Sequence, residues 1–71
     1  MERTSQLLSL LTARADTNHD GHLTIMKFTT NWRVGFGTVS DRDDIGKLAE
    51  GSTFEDAAGK VLANPTLYKV F

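Results

Sequence analysis

Residues 16–24 of this chain carry oxygen-bearing side chains at nearly alternate positions, as a bound cation requires. Asp16, Asn18 and Asp20 supply carboxylate and amide oxygens, and Thr24 adds a hydroxyl group. Calcium takes about six to eight oxygen ligands of these kinds. Gly21 stands directly after Asp20, where a ligand loop turns sharply and needs a positive φ angle. The spacing therefore predicts a loop that binds a hard cation.

The stretch from about Ser5 to Phe36 resembles the EF-hand family, whose calcium loop lies between two helices. The resemblance implies these calcium ligands: the side chains of Asp16, Asn18 and Asp20, the carbonyl of His22, and Thr24 directly or through water. The last position of the loop is Lys27, where the family has a glutamate that binds calcium through both oxygens. Lysine removes two oxygens and adds a positive charge, so we expect Ca²⁺ to bind weakly or not at all.

Two other interpretations of these residues can be stated from the sequence. Asparagine, aspartate and glycine also crowd into ordinary turns, because their side chains and backbones favour turn geometry. Residues 16–24 could then serve the turn alone. Zinc is a poorer interpretation, since His19 and His22 have no cysteine and no third histidine to complete a tetrahedral site.

The composition indicates one small soluble domain without enzymatic activity. The chain has 71 residues and no cysteine, so neither disulfides nor thiolate metal sites can stabilise it. Eight basic and nine acidic residues give a net charge of -1, which predicts no nucleic-acid partner. The apolar runs are too short for a membrane span. We expect no enzyme, because the sequence has neither a nucleophile motif nor a phosphate-binding glycine loop.

Apolar spacing predicts a helix on each side of the loop. Over residues 4–15, leucines recur at intervals of three and four and form one helical face. The same intervals predict a second helix over residues 25–34. The apolar residues that set this second pattern are Ile25, Phe28, Trp32 and Phe36. We expect Trp32 to belong to the core, although an aromatic side chain there could also line a groove.

Two further helices complete the predicted all-α fold. The third is expected over residues 41–50 with Ser40 as its N-cap, and the fourth over residues 54–63 with Ser52 as its N-cap. The resemblance then implies an EF-hand-like pair of helix-loop-helix units with four short helices. The expected single domain over 1–71 has a first unit at about 4–36, a degenerate second unit at about 40–63 and a C-terminal segment at 64–71.

The C-terminal segment is unusually apolar. Four of its last five residues are apolar: Leu67, Tyr68, Val70 and Phe71. A terminus of this kind rarely stays in water without a surface that buries it. We expect it either to fold back on the core or to dock on another chain or on a part of a longer protein.

These patterns lead to two hypotheses for function. The first is a calcium-binding EF-hand-type module, weakened by Lys27, that acts through protein interaction. The second is a metal-free degenerate EF-hand domain of the myosin light chain kind, which binds a target helix in an apolar groove. Both predict a partner protein, or a second lobe of the same protein, at an apolar helical groove and the C-terminal segment. A dockerin-like module fits less well, because dockerins repeat the loop and have aspartate at its last position.

Overall fold

The computed structural model describes residues 2–70 and shows a mixed α/β domain, so the predicted all-α fold is wrong. The helices are α1 (Glu2–Asn18), α2 (Arg42–Ile45) and α3 (Phe54–Ala63). The strands are β1 (Leu23–Lys27), β2 (Trp32–Gly37), β3 (Ala49–Gly51) and β4 (Lys69–Val70). The EF-hand-like pair does not form, because a strand and not a second helix follows residues 16–22.

Strand β2 is the centre of the sheet. Strand β1 pairs with one of its edges in antiparallel register, with Leu23 opposite Phe36. The other edge is shared, because β3 pairs antiparallel with residues 32–34 and β4 pairs in parallel with residues 36–37. The sheet therefore joins a hairpin from the first half of the chain to two short strands from the second half.

The apolar residues that predicted a second helix form the β1–β2 hairpin instead. Trp32, Val34 and Phe36 also alternate with period two, and the last two are fully buried under the helices. Two threonines, which are poor helix formers, lie in the turn between the strands. That turn is closed by a 2.8 Å hydrogen bond from the Phe28 amide to the Asn31 carbonyl. Strand pairing and burial of one face of β2 thus outweigh the helical spacing.

Helices α1 and α3 enclose the core against one face of the sheet. Helix α1 buries only a narrow stripe of apolar side chains, whereas α3 is apolar along most of its inner face. Within residues 2–70, the largest fully buried side chains are Phe36, Leu11, Val34, Val61 and Val70. The core therefore draws on both helices and on strands from both halves of the sequence.

Of the four predicted helices, the first and the last form, the second is replaced by strands, and the third is much shorter than predicted. The first helix is longer than predicted, and the last has the predicted bounds of 54–63. Its N-cap is Thr53 and not Ser52, because the Thr53 hydroxyl accepts a bond from the amide of Asp56 at 3.0 Å. The third helix shrinks to α2, with Asp41 as N-cap in place of Ser40. None of the helices within residues 2–70 has the length and apolarity needed to cross a membrane.

The opposite face of the sheet is covered by the segment around α2. Leu48 packs there against Gly35, where any Cβ atom would overlap the leucine side chain. Asp44 is buried in the same segment and accepts bonds from the Ser40 amide at 3.0 Å and the Ser40 hydroxyl at 2.9 Å. These contacts fix the connection between β2 and β3.

The C-terminal segment folds back on the domain as far as the structure describes it. Val70 is buried and pairs with Gly37 of β2, and Tyr68 packs against the core. Leu67 is 64% exposed, so the fold-back alternative does not extend to this residue. Phe71 lies outside the described residues. The fold-back alternative therefore holds for part of this segment only.

Candidate binding groove

The first three predicted calcium ligands do not lie in a ligand loop. Helix α1 continues through Asn18, so Asp16 and Asn18 belong to a helix. The helix ends where the Gly21 amide donates to the Ala15 carbonyl at 2.8 Å. Asp20 and Gly21 both have positive φ angles, of 55° and 80°. These residues therefore build a tight turn from α1 to β1.

The remaining predicted ligands are engaged in the sheet. The His22 carbonyl accepts a bond from the Gly37 amide at 2.9 Å, and the Thr24 hydroxyl donates to the Gly37 carbonyl at 2.7 Å. No three side chains of histidine, cysteine, aspartate or glutamate within the described range come together in a way that could hold a metal ion. The assignment of residues 16–27 as an EF-hand metal site is therefore corrected. Calcium binding itself stays a prediction from the sequence.

The two histidines near the turn have separate partners. The His19 ring stacks on Phe36, with 4.3 Å between centroids and 4° between planes. The His22 Nδ1 atom lies 2.8 Å from the Thr38 hydroxyl oxygen. Each ring therefore has a structural contact within the domain.

An apolar groove lies at the end of the sheet where α1 and α3 both begin. We call it the Trp32 groove, and it is lined by Thr4, Leu8, Ile25, Trp32, Ser52, Thr53, Phe54 and Glu55. Its volume is about 410 Å³, within the range of small binding sites. The groove brings together side chains from α1, β1, β2 and the start of α3, so it exists only in the folded domain.

Aromatic and aliphatic side chains form the floor and wall of the groove. The Trp32 and Phe54 rings meet edge to face, with centroids 5.8 Å apart and planes at 65°. Ile25 lies beside them and is 38% exposed, and Leu8 of α1 is 42% exposed. Trp32 thus packs against the core as predicted and also lines the groove, which was the alternative. The groove presents apolar surface that the domain itself leaves uncovered.

Polar groups at the rim carry opposite charges. The Thr4 hydroxyl donates to the Glu55 carboxylate at 2.5 Å and ties the start of α1 to the start of α3. This hydrogen bond is the main reason that the pKa of the Glu55 carboxyl is lowered. The Lys27 ammonium lies 5.9 Å from the centroid of the Trp32 ring, within the range of a cation–π contact. Glu55 thus lines the groove with a carboxylate, and the Lys27 ammonium lies beside Trp32, another of its lining residues.

An open strand edge runs beside the groove. Strand β1 pairs with β2 on one side only, and no strand within residues 2–70 covers its other edge. Ile25 belongs to both features, since it lines the groove and lies at the middle of β1. A binding partner at the groove would also meet unpaired backbone groups.

Comparison of the chain with protein-family models, with curated proteins and with solved structures gave no match. The candidate site therefore rests on its geometry. Leu8, Ile25 and Glu55 were not among the site residues predicted from the sequence. Period-two alternation at residues 32, 34 and 36 was the signal that could have revealed the strand that places Trp32.

Proposed function

We propose that this protein is an interaction domain that binds an extended apolar segment of a partner protein in the Trp32 groove. The observation that carries the proposal is the junction of an exposed apolar groove with the open edge of β1. A concave site lined mainly by aromatic and aliphatic side chains is the usual form of a binding pocket. An extended segment can use both parts, because its backbone pairs with a strand edge while alternate side chains enter a groove.

The chemistry of the groove supports binding and not catalysis. Among its described lining residues, Glu55 is the single titratable group. Its carboxylate already accepts the Thr4 hydroxyl, and its lowered pKa keeps it ionised near neutral pH. A general acid or base needs a pKa close to the working pH. Glu55 is therefore better suited to orient a partner than to transfer a proton.

An extended partner agrees better with the groove than the target helix of the myosin light chain hypothesis. A helix satisfies its own backbone hydrogen bonds and would leave the edge of β1 unused. The Lys27 ammonium beside Trp32 and the Glu55 carboxylate at α3 provide two charges that can set the direction of a bound strand. The C-terminal segment contributes Leu67 as a separate exposed apolar residue, beyond the opposite end of α3.

Peptide selection with a matched pair of variants tests the proposal. A phage-displayed library of random peptides would be panned on the protein, and enriched peptides would be titrated while NMR signals are followed. We expect the shifts to concentrate at Ile25, Trp32 and Phe54. Leu8→Glu should weaken peptide binding by about tenfold or more, because it places a carboxylate on the groove wall.

The control is Leu10→Glu, which makes the same change on the same helix at a side chain that is 56% exposed and does not line the groove. It should leave peptide affinity unchanged. The proposal would be overturned if no peptide shifts the groove signals, or if both variants weaken binding equally.

A further inference from the structure

We propose that the partner at this surface is a second copy of the chain, joined by antiparallel pairing of the two β1 strands around a two-fold axis at Ile25. The inference rests on the proposed function, since it names the partner of the same groove and edge. It follows from the backbone pattern of β1, from the side chains beside it and from the charges at its two ends.

The outward backbone groups of β1 can be identified from the hairpin. The Phe28 amide donates to Asn31, and the His22 carbonyl accepts from Gly37. Positions 22 and 28 therefore point their backbone groups towards β2, and the alternation of an antiparallel pair extends this to positions 24 and 26. The amides and carbonyls of positions 23, 25 and 27 consequently point to the open edge.

This pattern suits a symmetric pair. Ile25 is the third of five residues in β1, and its amide and carbonyl both face outward. In a two-fold antiparallel pairing, the two Ile25 residues exchange two backbone hydrogen bonds, and Leu23 of each copy faces Lys27 of the other. The register thus uses every outward group of the strand.

The side chains near the axis are apolar or uncharged. Ile25 and Leu8 are both substantially exposed and lie together at the groove. Pairing of the strands brings both residues of each copy to one interface. The face of α1 next to Leu8 carries Ser5, Ser9 and Thr12, which are exposed, uncharged and small enough for two helices to approach closely.

Charge complementarity fixes the direction of the pairing. Lys27 lies at the end of β1, whereas the acidic residues Asp16 and Asp20 lie at the turn that leads into it. The Asp16 carboxylate lies close to Gly21, since a Cβ there would be 3.2 Å from it. Antiparallel pairing places the Lys27 end of each strand beside the acidic turn of the other. A shift that centred the pair on Lys27 would oppose two ammonium groups instead.

A charge-swap experiment tests this interface through the oligomeric state. Sedimentation equilibrium should show a dimer for the wild type. Ile25→Lys and Ile25→Glu should each be monomeric, because each places two like charges opposite one another on the axis. An equimolar mixture of these two variants should form a heterodimer, because unlike charges then face each other. Leu10→Lys is the control and should remain dimeric.

Amide hydrogen exchange of the wild-type protein is a second test of the dimer, and it requires no variant. In the dimer, the amides of Leu23, Ile25 and Lys27 should exchange slowly at high concentration and quickly on dilution. The amide of Met26 pairs within the hairpin and should stay protected throughout. Wild-type protein that is monomeric at about 1 mM, or outward amides that exchange quickly at that concentration, would overturn the inference.

The failure of this inference is distinct from failure of the proposed function. A monomeric protein whose groove signals shift with selected peptides would keep the proposed function and reject the second copy as partner. Variants at Ile25 that remain dimeric while folded would likewise reject pairing through β1. A monomer that also binds no peptide at the groove would overturn both.

Discussion

The structure requires glycine at position 37 but not at position 59. Gly37 has a φ angle of 97°, and a Cβ atom there would overlap the carbonyl oxygen of Val70 in β4. Gly59 lies within α3, and a Cβ atom there would contact nothing within 4 Å outside its chain neighbours and its own helix backbone. Any side chain at position 37 therefore opposes the β2–β4 contact, whereas position 59 can accept one.

We predict opposite effects for Gly37→Ala and Gly59→Ala. The first should lower the free energy of unfolding by more than about 2 kcal/mol, through a strained φ angle and the clash with β4. The second should raise it by about 0.5–1 kcal/mol, because alanine favours a helix over glycine. Thermal unfolding followed by circular dichroism would show the second as a rise of about 3–6 °C in the midpoint. An unchanged midpoint for Gly37→Ala would contradict the pairing of β4 with β2.

Asp44 makes the stability of the folded state depend on pH. The amide and hydroxyl of Ser40, with a smaller contribution from Lys47, lower the pKa of the Asp44 carboxyl from 3.8 to about 2. A lowered pKa means that the stabilisation is present above the unfolded value and is lost as the carboxylate takes up a proton. The contribution of Asp44 should therefore be complete above about pH 4 and disappear towards about pH 2.

Asp44→Asn tests this contribution. The amide cannot bear a charge, so the variant should be less stable than the wild type near neutral pH, and the difference should shrink between about pH 4 and 2. Urea unfolding at several pH values measures both trends. Asp43→Asn is a suitable control, because the Asp43 side chain is exposed. A difference between Asp44→Asn and the wild type that is constant with pH would mean that the charge of Asp44 does not stabilise the fold.

The sequence of the turn that joins α1 to β1 is compatible with two different local structures. Asp16, Asn18, Asp20 and Gly21 fit a calcium loop by spacing, but the same residues also end a helix and turn the chain into a strand. A bond from the Gly21 amide to the Ala15 carbonyl decides between them, because it closes the turn on the helix itself. Spacing alone could not distinguish these outcomes, since both require glycine at a positive φ angle.

Calcium should therefore have little effect on this element. At about 5 mM calcium, above the dissociation constants of weak extracellular modules at about 10⁻⁴–10⁻³ M, we expect the unfolding midpoint and the Trp32 fluorescence to match those in chelator. The reason is that the His22 carbonyl and the Thr24 hydroxyl are already bonded to Gly37. An unfolding midpoint that rises with calcium in the wild type, but not in Asp16→Asn, would show that calcium binds at this turn.

In the molecule as a whole, local signals predicted the first and last helices, whereas the sheet depends on contacts between distant segments of the chain. The bounds of α3 were correct because its apolar period agrees with its packing, although its N-cap is Thr53 and not Ser52. Residues 25, 28, 32 and 36 fit a helical period, whereas residues 32, 34 and 36 fit a strand period. Pairing of β2 with β3 and β4, from distant parts of the chain, favours the strand. The groove could not be predicted from the sequence either, because its lining residues come from four separate elements.

The parallel contact between β2 and β4 also affects how the chain folds while it is being translated. Translation proceeds from the amino terminus, so residues 36–37 leave the ribosome well before residues 69–70, with which they pair. Until then this part of β2 has an open edge, because the residues of β4 that pair with it have not been made. Neighbouring nascent chains on a polysome carry the same open edge at high local concentration. The interval between synthesis of β2 and β4 is thus when misassembly between these nascent chains is most favoured.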